Sequence, residues 1–186
     1  MQANIQSEMA VNGQACMQSA VKDELGLKGK WNVICFGKDG KEKWRDTIEN
    51  LVTNAGESMM LQVGLDAQTQ ITAWHVGLTD GTPTVAETDT MASHAGWVEV
   101  TAYTEGIRQP WTGGTESGQS ISNSASQASF AINATTTVGG AFLNSVNTKS
   151  GTTGTLYAVG AFSGGDRALA NLDTLQVTAT FTAGGA

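Results

Sequence analysis

TLQVTATFT, residues 174–182, decides the class of fold. Leu175, Val177, Ala179 and Phe181 alternate with Gln176, Thr178, Thr180 and Thr182, which is the period of two expected of a strand with one buried and one wet face. Slipping the register by one residue would turn every apolar side chain into water, so the pairing of this strand is strongly specified. Upstream of it the same pattern recurs from residue 69. Trp74, Val76 and Leu78 share a face, WVEVTAY (97–103) alternates, and Ala128, Phe130, Ile132 and Ala134 follow. VGGAFL (138–143) and TLYAVGAF (155–162) are continuous apolar runs that read as buried strands, and the two glycines of the first mark a bulge or a close backbone approach. The pieces QPWTGGTESGQSISNSASQ (109–127) and NSVNTKSGTTG (144–154) are loops rich in Gly, Ser, Thr and Asn. Short strands separated by turn residues predict a mainly antiparallel β-sandwich over 69–186.

Further upstream, KWNVICFGKDGKEKWRDTIENLVT (30–53) reads as a hairpin with strands near 31–36 and 42–48. Asp39-Gly40 at its tip predicts a two-residue type I′ turn, which needs positive φ at both central positions. Asn54 followed by Glu57 has the form of a capping box, and Met59, Met60, Leu61 and Val63 predict a short helix over 54–65 whose methionines fill a core. Residues 1–29 read as an arm. Cys16, Met17, Ala20, Val21 and Leu25 recur at spacings of three and four, predicting an amphipathic helix over 14–25 ended by Gly26 and Gly29. The expected chain is therefore all-β, with an N-terminal arm and one or two short helices, and its β-rich domain covers 30–186.

With 186 residues the chain can bury one sizeable core. Only 15% of the residues are charged, against roughly 25% in ordinary soluble domains, a composition suited to a surface packed against other proteins. Residues 1–50 hold seven Lys/Arg and seven Asp/Glu, whereas 51–186 hold three and ten, so the second part carries the whole net charge of −7. That sign repels phosphate backbones and argues against nucleic-acid binding. Cys16 and Cys35 lack zinc-type spacing and read as free thiols of a protein made in a reducing cytoplasm. No signal peptide and no membrane-spanning run of about 20 apolar residues is expected.

The search for reactive chemistry turns on TAWHVGLTDGTPTVAETD (72–89), where His75 follows Trp74 and three carboxylates, Asp80, Glu87 and Asp89, come after. Their spacing is not that of an EF-hand loop, and Asp80-Gly81 with Thr82-Pro83 reads as a turn in which Gly81 takes positive φ. His75 and His94 are the only histidines, which excludes a three-histidine metal site. There is no G-x-S-x-G and no phosphate-cradling glycine loop. Glu99 and Glu105 are available as a glycosidase-type pair, but so are eight other acids in the same region. No catalytic residue, metal ligand or cofactor is assigned on these grounds. Trp74 and Trp97 are expected in the core, and Trp111, placed in a loop, is the aromatic expected to contact a partner.

WHVGLTDGTPTVAETDTMASHAGWVEVTAYTEGIRQPW, with SNSASQASFAINATTTVGGAFL, GTLYAVGAF and the preceding GKWNVICFGKDGKEKWRDTIENLVTNAG, resembles a group of tailed-bacteriophage virion structural proteins over about residues 30–184. The resemblance implies a head decoration or cement protein bound to the major capsid protein on the virion surface, with a tail or fibre component as the alternative. It brings no catalytic motif. In that frame Met17, Val21 and Leu25 of the arm and Lys38, Lys41, Lys43 and Arg45 of the hairpin are the candidate capsid contacts, and a homodimer or homotrimer is expected. The rival expectation is an adhesion module holding carbohydrate through Trp111, and a weaker third is a hydrolase of surface polysaccharide.

Overall fold

The computed structural model describes residues 25–185. Met17 and Val21, with the rest of the predicted arm helix up to residue 24, lie outside the described residues. The opening stretch is the spine of the fold. Strand β11 (Thr174–Gly185) buries Leu175, Val177, Ala179 and Phe181 and turns Thr182 outward. It pairs antiparallel with β1 (Leu25–Phe36) over its full length, from Leu25↔Gly185 to Phe36↔Thr174. The predicted arm boundary at residue 29 therefore moves. Gly26 and Gly29 do not end a helix but lie inside β1, and Leu25 is a strand residue facing Gly185. Gly29 fits there because a Cβ would run into the Asn50 side chain of the next strand.

β2 (Glu42–Val52) pairs with β1 through residues 42–50, then crosses to β9 (Leu156–Ala161) through Leu51↔Val159 and Val52↔Ala158. That handover joins two halves of one sheet. On one side lie β1, β11 and the short strands β5 (Ser120–Ser122) and β6 (Ala128–Ala131), both paired to β11. On the other, β9 is followed by β8 (Gly140–Asn144), β3 (Trp74–Thr79) and the edge strand β4 (Gln109–Trp111). β7 (Thr136–Val138) and β10 (Arg167–Leu169) form a separate two-stranded sheet. The sheet curls so that its halves enclose a core of Trp31, Val33 and Ile48 against Val76, Leu78 and Leu143. Facing apolar layers of this kind are the all-β arrangement the alternation predicts.

β8 is buried on both faces, as its continuous apolar run requires. Phe142 points away from the main core into a second cluster with Met91, Trp97, Leu156 and Val159. Its ring lies across Gly77 of β3, where a Cβ would approach within 2.1 Å of it. The expected strand at 97–103 reduces to isolated bridges, Thr79↔Glu99 and Tyr103↔Ile132, although Trp97, Val100 and Tyr103 are buried.

The hairpin tip departs from the type I′ expectation. Gly40 alone takes positive φ (75°), and the bonds from the Gly40 N–H to the Gly37 carbonyl and from the Gly37 N–H to the Lys41 carbonyl close a longer loop. That is the three-residue type I turn with a bulge, in which Asp39 keeps its φ negative.

Helix α1 (Asn54–Leu65) is capped one residue earlier than expected. Thr53, not Asn54, accepts from the Gly56 N–H, and Thr53 is held there by a bond from its own hydroxyl to the Leu156 carbonyl. Gly56 seats the first turn against β9, with the Tyr157 backbone only 2.5 Å from where a Cβ would stand. Beyond that turn only Met59 stays half-buried against the core; Met60, Leu61 and Leu65 are 46%, 55% and 85% exposed, so the expectation of a core-filling methionine run holds for Met59 and not for Met60. Gly64 has open space in place of a side chain. Gly64→Ala is accordingly expected to stabilise the protein by about 0.5–1 kcal/mol, seen as a rise of roughly 1–4 °C in Tm. Among the described residues no helix is long and apolar enough to cross a membrane.

Candidate docking groove

Where the curled sheet brings β3 and β4 close to β5 and β11, the side chains leave a groove of about 620 Å³. Trp74 on β3 stands opposite Trp111 on β4. Trp74 meets Tyr157 of β9 at 5.3 Å between ring centroids, Tyr157 meets Phe181 of β11 at 5.2 Å, and Phe181 meets Trp111 at 5.8 Å, all edge to face. This is the favourable geometry of quadrupolar rings and makes the wall rigid. The Trp111 Nε1–H donates to the Ala179 carbonyl at 3.2 Å, tying the edge strand across to β11. Met59 and Met60 of α1 close the other side.

Two sequence expectations are corrected here. Trp111 is an edge-strand residue rather than a loop residue, and Trp74 is a half-buried wall of the groove rather than a core residue, whereas Trp97 is in the core as expected. Tyr157 and Phe181 were legible only as members of apolar runs. Their part in the groove depends on β9 and β11 converging with α1, which no local spacing encodes.

No Lys, Arg, Asp or Glu lines the groove. His75 borders it, but as the residue after Trp74 on β3 it turns its ring to the other face of the sheet, and burial depresses its pKa. Burial likewise raises the Tyr157 phenol. Such a wall offers dispersion and burial to an apolar partner and little to an ion. His94 is elsewhere, stacked on Trp97 at 3.6 Å.

The hairpin cations lie at the far end of β1. Phe181 of the groove pairs with Gly29, while the tip follows Phe36, roughly 23 Å further along the strand. Lys43 pairs with buried Asp173 at 2.6 Å, Arg45 forks onto Glu42, Lys41 lies 3.9 Å from Asp39, and Lys38 is exposed. Leu25, the described one of the three arm candidates, and the hairpin tip thus lie at opposite ends of β1. Cys35 packs beside Asp173, and burial with that neighbouring carboxylate pushes its thiol up to about 12, so it stays protonated and unreactive.

Carboxylates considered for chemistry are tied into the frame. Glu99 grips Arg108, Glu105 accepts from the Ala131 N–H, Asp80 from the Val98 N–H and Asp89 from the Ala86 N–H. Gly81 does not take positive φ; its backbone packs against Gly139. Among the described residues no group of three or more His, Cys, Asp or Glu is placed to hold a metal ion.

These buried groups set the acid response. Burial opposes ionisation of Asp46 and Asp173, but hydrogen bonds outweigh it: Ser163, Arg167 and the Thr47 and Gly164 N–H groups for Asp46, Lys43 and the Ala170 N–H for Asp173. Both carboxyls therefore sit below their ordinary value, and the stability they contribute is present above about pH 4 and lost as pH falls through the folded value. His75 and His94 are depressed by burial, so unfolding lets them take up protons once pH drops below about 6.5. Urea titrations are expected to show stability declining below that pH and falling further below about pH 4, the lower step shrinking in Asp46→Asn/Asp173→Asn. Stability that rises between pH 7 and pH 5 would contradict this assignment.

A scan against protein-family models finds no match, and a search of curated proteins finds none either.

Proposed function

We propose that the chain is a virion structural protein of a tailed bacteriophage, a decoration or cement protein that binds the outside of the assembled head beside the major capsid protein. Its work is adhesion. A protein that binds only the assembled lattice stabilises that lattice by its binding free energy, repeated over many copies. The observation that carries the reading is the groove: a charge-free aromatic wall with the exposed Met60 of α1 on its rim. An apolar surface of this kind around a rigid tryptophan is the anatomy of a protein–protein contact. The resemblance noted in the sequence supplies the virion context.

Purified protein added to heads lacking it is expected to co-sediment with them and to raise their thermal rupture temperature. Trp111→Ala is expected to weaken that binding on the order of 30-fold, the effect of losing an anchor worth about 2 kcal/mol. Heads that neither bind the wild-type chain nor gain resistance to heat would sink the proposal. One observation favours a second reading, an adhesion module for carbohydrate: Trp74 and Trp111 stand at paired positions with Thr72 and Thr112 nearby in the same groove. A glycan array with Trp111→Ala as control separates the two, because a cement protein shows no sugar preference.

A further inference from the structure

We propose that the groove receives the apolar stripe Cys16, Met17, Ala20 and Val21 from the N-terminal segment of a neighbouring copy, so that adjacent copies clasp one another. The inference rests on the reading of the groove as a protein-docking site and names a neighbouring copy, rather than the capsid protein itself, as its occupant, so that the groove serves head binding through contact between copies. Four observations lead to it. The described fold begins at Leu25, which pairs with Gly185, four positions along β11 from the groove residue Phe181. Twenty-four residues therefore join the domain roughly 13 Å from the groove. Their apolar positions recur at spacings of three and four, the pattern of a helix laid into a hydrophobic groove, and the groove wall carries no charged residue that such a stripe would leave unpaired. Finally, only Lys22, Asp23 and Glu24 separate Val21 from Leu25, which leaves three residues, Asp23 the one turn former among them, for any reversal of the chain.

The last observation sets the direction. β1 carries the chain past the groove toward its N-terminal end, and a segment returning to its own groove would have to reverse within three residues and then run back roughly 13 Å. With the stripe docked, Lys22 to Glu24 let Val21 lie on the order of 14 Å beyond Leu25, enough to reach the groove of a copy packed against this end of β1. A contact that each copy both gives and receives closes into a dimer or ring, and on a lattice it adds to capsid affinity by avidity.

The test places a photoreactive benzophenone amino acid at Met60, on the groove rim, in the full-length chain. Light and isotope-labelled chains are mixed, irradiated and digested. Cross-links from position 60 to peptides within residues 1–24, in mixed light–heavy species, are expected. Met17→Asp and Val21→Asp, each with an unchanged melting curve, are expected to cut the mixed species at least tenfold and to lower the sedimenting mass toward that of the monomer. Cross-links confined to single chains, cross-links that avoid residues 1–24, or a sedimenting mass indifferent to both substitutions would each overturn the proposal. Head binding is measured on the same samples. Mixed cross-links with no head binding leave the clasp standing and remove the capsid reading, and head binding with no mixed cross-links does the reverse.

Discussion

Glu99→Ala is expected to cost about 3–5 kcal/mol, lowering Tm by roughly 6–20 °C, because it strands a fully buried cation. Arg108 has no exposed surface. Its Nε and Nη2 donate to the two oxygens of Glu99 at 2.9 and 2.7 Å, its Nη1 to the Val146 carbonyl and its Nη2 also to the Gly151 carbonyl, while the guanidinium lies 5.1 Å from the Phe142 ring. Glu99 in turn accepts from the Ser150 N–H. The pair therefore ties the 97–103 segment and the 144–151 loop to the second apolar cluster. Removing the carboxylate leaves the charge with two carbonyl oxygens and no counter-ion, and a guanidinium cannot shed its proton to escape. Replacing both partners by apolar residues of similar volume, as in Glu99→Leu/Arg108→Met, is expected to be milder than Glu99→Ala alone, since a buried ion pair roughly balances its own desolvation. Urea denaturation measures all three chains, and hydrogen exchange locates the loss in 144–151. A Glu99→Ala chain as stable as the wild type would show that the pair holds nothing.

How far the sequence could be read follows the range of the interactions involved. Strand β11 was legible because its alternation is local, and burial matches it position by position. The inward faces of β1 and of Trp31, Val33 and Cys35 follow from the same rule. The spacing predicts the helix over 54–65, where it lies, but periodicity says that a stripe exists and not which surface meets it: Met59 packs on the core while Met60, Leu61 and Leu65 face out. The strand at 97–103 was overstated for a related reason: its burial comes from the Glu99–Arg108 pair and the Phe142 cluster, not from a ladder. The groove was visible only as Trp111. Four rings from four strands meet there, and their sequence separation leaves no spacing to detect. Glu99 and Arg108 are nine positions apart, a separation that no strand or helix spacing pairs, and only the fold buries them together.

Gly139→Ala is expected to cost about 3 kcal/mol, lowering Tm by roughly 6–12 °C, although the added group is a single methyl. The sequence marked the glycine pair in VGGAFL as a bulge or a close backbone approach, and the structure selects the approach. A Cβ on Gly139 would stand 2.0 Å from the Gly81 carbonyl carbon and 2.1 Å from the Thr82 nitrogen, both backbone atoms that cannot rotate away. Neither side is free to retreat. The Gly139 N–H donates to the Thr79 carbonyl and its carbonyl accepts from the Phe162 N–H, while the facing turn is held by the Thr79 hydroxyl on the Gly81 carbonyl and by Thr82 on Asp166. Separating the two segments would pull β8 from β3 at their shared end, where Thr79 pairs with Gly140. Gly64→Ala is the matched control, since it adds the same methyl in open space and is expected to move Tm the opposite way. If the two substitutions shift Tm in the same direction, the contact between the 79–83 turn and the start of β8 is looser than these distances require.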